Sequence, residues 1–191
     1  MIAPIDIVNR FNRKTGKTAT PDQATDQGLW HRGAHVIVLT PSGRVLVQKR
    51  NNKAIQRPGL LDIGAGGFVD TEELPEETAI RETAEETGIR LTTLDLIFLG
   101  TSRYNHRWKY GKKPKISRAI LYNYVAVLPS EHVTLSPQPD EVDWLGFIPA
   151  KSALWLIHKG SLRRLGKLVP TYSYYRKLLK RALKYTDAHF S

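Results

Sequence analysis

Apolar and polar positions along the chain sort mostly into short strand-like runs separated by turn residues, with three stretches at helical spacing. Residues 4–11 read as a strand and 12–16 as a polar turn. Residues 17–30 are polar without a clear period, which predicts irregular chain. The β-rich runs 34–39 and 44–49 flank Pro41-Ser42-Gly43 and predict a hairpin. A loop over 51–59, closed by Pro58-Gly59, leads to a short strand at 60–65. Residues 94–104 and 117–128 predict two longer strands, joined by a basic and aromatic loop over 105–115. A second loop at 131–141 precedes a last strand at 142–148 and a short helix to about residue 158. Residues 171–185 have the spacing of an amphipathic helix, with Tyr175, Leu178, Leu179 and Ala182 as its apolar stripe.

Between the strands, the segment from Pro75 to Gly88 changes character. Pro75 suits a first helical turn, where its missing N–H has no partner to lose, and Gly88 suits the left-handed position past the end. Successive residues turn by about 100° around the axis. Glu82, Glu85 and Glu86 therefore share one face, while Ile80, Ala84 and Thr87, with Thr83 at the edge, face the other way toward a sheet. Arg81 falls off the carboxylate face, within reach of Glu73 or Glu77. This core stripe is only weakly apolar.

Charge sharpens the picture. Eight of the eighteen acidic residues lie between residues 70 and 86, opposed only by Arg81, so the stretch carries −7 in a chain of net charge +11. Like charges at helical neighbour spacing repel. A solvated helix face usually mixes signs, and here three carboxylates stand together with no cation at i±4 among them. A hard divalent cation is the natural neutraliser. The run Gly64-Ala65-Gly66-Gly67 just upstream allows close backbone approach and leaves a carbonyl to face a ligand. The chain has no cysteine, which excludes disulfides, a thiolate metal site and a cysteine nucleophile. No apolar run is long enough to span a bilayer, and the N-terminal residues lack the pattern of a secretory signal. A cytoplasmic location is the resulting expectation.

The segment from Gly67 to Ile89 resembles the Nudix box, G-x5-E-x7-R-E-U-x-E-E-x-G-U with U bulky and aliphatic. Gly67, Glu73, Arg81, Glu82, Glu85, Glu86, Gly88 and Ile89 match, and Thr83 stands where an aliphatic residue is expected. The resemblance implies the Nudix fold, of α/β (α+β) class, a mixed β-sheet sandwiched between helices. On this reading residues 1–29 are an N-terminal strand and linker, 30–158 the Nudix hydrolase domain, and 159–191 a basic helical extension. The pieces His31-Arg32, the run ending in Lys49-Arg50, and Pro58-Gly59-Leu60-Leu61-Asp62 are similar to the branch related to isopentenyl-diphosphate isomerase. Where those isomerases use a cysteine and a histidine, this chain has Ala65 and Gly67, so alkene protonation loses its acid–base groups.

The resemblance implies a hydrolase that cleaves a diphosphate linkage in a nucleoside di- or triphosphate, or a related derivative, by water attack on phosphorus. Mg2+, or Mn2+ in its place, is the implied cofactor. Its implied ligands are Glu82, Glu85, Glu86 and the carbonyl of Gly66, with Arg81 and Glu73 orienting the carboxylates. The general base stays open between Glu82 and a carboxylate on the loop before the last strand, Glu141 rather than Asp140. Arg50 and Tyr104 are candidate substrate contacts, and His31 and His35 read as packing residues. Ten lysines and arginines without an acid lie between residues 144 and 186, which gives anions a favourable approach field. RNA is therefore an alternative substrate or partner; a homodimer is compatible with the sequence, and prenyl diphosphate isomerisation is the least favoured reading.

Overall fold

The computed structural model describes residues 3–53, 57–162, 166–169 and 172–190. Its strands are β1 (Ile5–Val8), β2 (Lys14–Ala19), β3 (Trp30–Leu39), β4 (Arg44–Arg50), β5 (Leu61–Ile63), β6 (Ala65–Phe68), β7 (Ile97–Tyr110), β8 (Lys113–Val127) and β9 (Val142–Pro149). Four helices accompany them: α1 (Pro21–Gln27), α2 (Pro75–Thr87), α3 (Ala150–Lys159) and α4 (Tyr172–Phe190). Two short strands, β10 (Ser161–Leu162) and β11 (Gly166–Lys167), pair with each other.

β3 organises the sheet. It runs parallel to β8 and antiparallel to β6, and β8 continues into β7. β4 pairs with β9 on one side and β5 on the other, and meets β3 only at Leu39–Val45. Because successive strand residues face opposite ways, β3 supplies both cores. Ile37 and Leu39 join the cluster under α3 and α4, whereas Val36 and Val38 join the cluster under α2. The result is the expected mixed sheet between helices, of α+β class.

Three expectations need correction. Residues 17–30 are not irregular: β2 is a strand whose residues are nearly all exposed, and α1 is closed by a Thr20 capping box and Gly28. Lys115, buried on β8, binds Asp22 and Asp26 of α1 and latches that helix to the sheet. The basic and aromatic stretch at 105–115 is not a loop but the end of a long β7–β8 hairpin. Finally, α2 buries Thr83 and Thr87 of the expected face but leaves Ile80 and Ala84 only part-buried, and it adds Thr78, Ala79 and Glu86 to the stripe. Threonines can occupy it because Thr83 and Thr87 return their hydroxyl protons to the carbonyls of Ala79 and Thr83.

α2 starts at Pro75 and ends at Gly88, which takes the left-handed conformation the sequence predicts. α4 carries Tyr175, Leu178, Leu179 and Ala182 into the core beneath the sheet. Thr171, where the sequence places the start of this helix, lies outside the described residues, as do Arg163 and Arg164.

Candidate active site

Three elements converge on the carboxylates. β6 lies beside β3, α2 crosses β6, and Gln48 reaches in from β4. The glycine at position 67 is a steric requirement, since a Cβ there would overlap the carboxylate of Glu82. Gly67 therefore lets Glu82 lie against the strand backbone.

The glutamates are not equivalent. Glu86 is 4% exposed and accepts hydrogen bonds from Gln48 Nε2 at 2.9 Å and from the backbone N–H of Gly66 at 3.1 Å. Burial, reinforced by Glu82, pushes its carboxyl up to about 8. Burial also pushes Glu82 up to about 7 against the pull of Arg81, with Glu85 and Glu141 adding repulsion. The side chain of Glu85 is half exposed.

Arg81 does more than the helical wheel predicts. It pairs with both oxygens of Glu73 through Nε and Nη2, each at 2.9 Å. Its Nη1 also reaches across to Glu82 at 2.9 Å and Glu85 at 3.2 Å. The hydrogen bond to Glu73, opposed by desolvation and helped by Glu82, raises the guanidinium pKa further. Burial opposes ionisation of Glu73, but hydrogen bonds from Arg81, Thr78 and the N–H of Asp70 hold it below the usual carboxylate range. The other expected partner of Arg81, Glu77, instead accepts from the N–H of Leu74 at the start of the helix. Among the described residues, no three His, Cys, Asp or Glu side chains converge in metal-holding geometry, and Arg81 stands between Glu82 and Glu85.

These groups open onto a cavity of about 650 Å3. Gly66, Arg81, Glu82, Glu85, Glu86, Arg50, Tyr104 and Glu141 all line it, with Asp140 beside Glu141. Glu73 is absent from that lining and supports Arg81 from behind. The guanidinium of Arg57 lies 5.4 Å from the centre of the Tyr104 ring. Arg57 Nε, Tyr104 Oη and Gln48 Oε1 are buried without a hydrogen-bond partner among the described residues.

Other lining residues were not among the site candidates of the sequence. Tyr175 Oη donates to Asp62 Oδ1, and Asp62 Oδ2 lies 3.9 Å from Arg50 Nη1. Tyr174 Oη contacts Asn123 Oδ1 at 2.7 Å and His35 Nδ1 at 3.0 Å, while His35 Nε2 faces the carbonyl of Ile63 at 2.8 Å. His35 is thus held on both ring nitrogens, and burial lowers its pKa. The cavity wall extends beyond residue 158, because both tyrosines come from α4. Gln48 was detectable in principle, as a polar residue at an inward position of an otherwise apolar strand.

The NUDIX domain family matches residues 29–166, and the chain belongs to that family. A Nudix hydrolase of Streptomyces coelicolor is 31% identical over 145 residues, 76% of this chain and 74% of the relative. The Nudix hydrolase YfcD of Escherichia coli is 40% identical over 85 residues, 44% of this chain. That match spans 47% of YfcD, so the chain covers about half the length of such relatives. Among solved structures, DR0079 of Deinococcus radiodurans is similar with a TM-score of 0.64 at 17% identity, over 92% of this chain and 98% of that one. The NUDIX domain of Shewanella oneidensis NrtR, solved with ADP ribose, has a TM-score of 0.57 at 20% identity, over 79% and 86%. Both are likenesses of fold.

Proposed function

We propose that this chain is a Mg2+-dependent hydrolase that cleaves a diphosphate linkage in a nucleoside di- or triphosphate or a related derivative. The observation that carries the reading is the pair of part-buried Glu82 and buried Glu86, which line one open cavity with both carboxyls pushed well above the usual range by burial. Such a pair calls for a cation, and an all-oxygen donor set suits a hard one. Glu82, Glu85, Glu86 and the carbonyl of Gly66 would hold it. A bound divalent ion neutralises phosphate oxygens and lowers the pKa of a bound water.

The protein side chains supply the rest. Arg81 is anchored by two bonds to Glu73, so it would keep its place if Glu82 and Glu85 turned to hold an ion. Arg50 and Arg57 bring positive charge to the same cavity for a phosphate, and the ring of Tyr104 offers a surface for the remainder of the substrate. Glu141, exposed at the cavity, would take the proton of the attacking water, whereas Glu82 would be taken up in holding the ion. Isomerisation of prenyl diphosphates is disfavoured, because Ala65 and Gly67 have no acid–base group and Glu82 fills the space beside Gly67.

The test is a panel of nucleoside phosphates with Mg2+ in 18O-labelled water, products separated and weighed. Label in one phosphate-bearing product, with no turnover in chelator, is the expected result. Absence of any hydrolysis across the panel, or turnover that ignores chelator, contradicts the reading.

A further inference from the structure

A second cavity, of about 710 Å3, lies between β7 and α4. Arg103 from the strand and Lys177, Lys180, Arg181 and Lys184 from the helix line it, and its lining contains no Asp or Glu. The four helix cations fall at i, i+3, i+4 and i+7, on one face. The opposite face buries Leu178, Leu179 and Ala182 in the core. Like charges at that spacing work against the helix. Among the described residues none of the five cations is in an ion pair. Core packing fixes the helix, and no carboxylate among the described side chains relieves the repulsion.

The shape of the cluster narrows the ligand. Lys177 to Lys184 extends about 10 Å along the helix axis. All five cations are exposed along a groove, an arrangement for a row of phosphates rather than one buried anion. Ser102 and Ser173 add hydroxyls along the same wall. Tyr174 lines this groove and the reaction cavity alike, so the two share a wall. The ring of Tyr174 is packed against His35, Tyr104 and Tyr175, so recognition here rests on the cationic track, which the flexible backbone of a single strand can follow. A bilayer would want apolar residues beside the cations, but the neighbouring Leu178 is buried.

We propose that the groove between β7 and α4 binds the phosphodiester backbone of a single-stranded nucleic acid. Neither Lys180 nor Lys184 lines the reaction cavity. Binding is therefore separable from hydrolysis and stands or falls without it.

The experiment uses the full chain and fluorescence anisotropy with short labelled oligouridylate and oligothymidylate carrying 5′-hydroxyl ends. Duplex RNA and inorganic tripolyphosphate are added as competitors. Wild-type protein is compared with Lys180→Glu/Lys184→Glu at several salt concentrations. The wild type is expected to bind a single strand at physiological salt, and log K should fall with log salt by about 0.7 per neutralised phosphate. The double variant should weaken binding about tenfold or more and flatten that slope by about 1.4, with free-nucleotide turnover unchanged. The RNA and DNA arms then identify which strand is preferred. No binding by the wild type at physiological salt, unchanged binding by the charge-reversed variant, or tighter binding of duplex than of single strand would overturn the proposal. If tripolyphosphate displaces the strand at equal phosphate concentration, the groove is a small-anion site and the proposal also fails.

Discussion

Arg81 bonds three glutamates at once, whereas Glu86 accepts from Gln48 and the N–H of Gly66 and feels Arg50 only as a partial counter to its burial. The matched box positions made these glutamates legible from spacing alone. The reach of Arg81 was not, since a wheel records where a side chain leaves the helix, whereas a long guanidinium stem can bend across a full residue step. At the same scale, Glu85 contributes little to the fold. It is half exposed and holds one 3.2 Å contact to Arg81, and exposed pairs are worth roughly 0–1 kcal/mol. Glu85→Gln should therefore unfold within about 1 kcal/mol of wild type in chelator.

His31 gives a pH signature of its own. Burial holds its ring down to about 4 from 6.5, against a partly opposing contact with the carbonyl of Leu29. The unfolded chain then binds the extra proton between those values, so stability rises with pH from about 4 to about 6.5 and is lost on acidification through that window. His31→Asn keeps a donor near Leu29 but removes the titration. Urea unfolding at the two ends of the window should show a pH difference smaller by roughly 2–3 kcal/mol in the variant. An unchanged difference would mean that His31 is accessible to protons in the folded state.

Among elements, the β7–β8 hairpin shows where sequence reading stops. Tyr104, His106 and Trp108 alternate with exposed Arg103, Arg107 and Lys109, which is strand periodicity. The density of charge hid it, because the exposed side of an edge strand and a solvated loop have the same composition. Only pairing with β8 decides between them. β2 was hidden for the same reason, with almost no buried residue to mark it. In α2 the departure from the box pattern has a structural answer. Thr83 is fully buried and its hydroxyl is satisfied by the carbonyl of Ala79 at 2.7 Å. That carbonyl already serves the helix, so Thr83→Val gives up a redundant bond and buries one more methyl. The variant should be more stable by up to about 0.8 kcal/mol, measured by thermal unfolding, with turnover unchanged. Marked destabilisation would show that the hydroxyl is needed.

On the scale of the whole molecule, α4 joins the core to the reaction cavity. Its apolar spacing was readable, but its tyrosines at the site were not, because α4 and Asp62 meet only through the tertiary fold. Truncation before α4 would strip Tyr175, Leu178, Leu179 and Ala182 from the core, so point substitution is the cleaner probe. Tyr175→Phe removes the hydroxyl that holds Asp62 beside Arg50. KM should rise severalfold with kcat nearly unchanged, the pattern of lost uniform binding. A fall in kcat alone would instead assign the hydroxyl to the chemistry. The central claim is that the box glutamates hold the catalytic cation, and its most direct test is turnover of the best panel substrate across Mg2+ concentration in wild type and Glu85→Gln. The account predicts that the variant stays folded yet turns over at least about a hundredfold more slowly even at saturating Mg2+, a loss of about 2.7 kcal/mol in transition-state stabilisation. Wild-type turnover by the variant at saturating Mg2+ would contradict it.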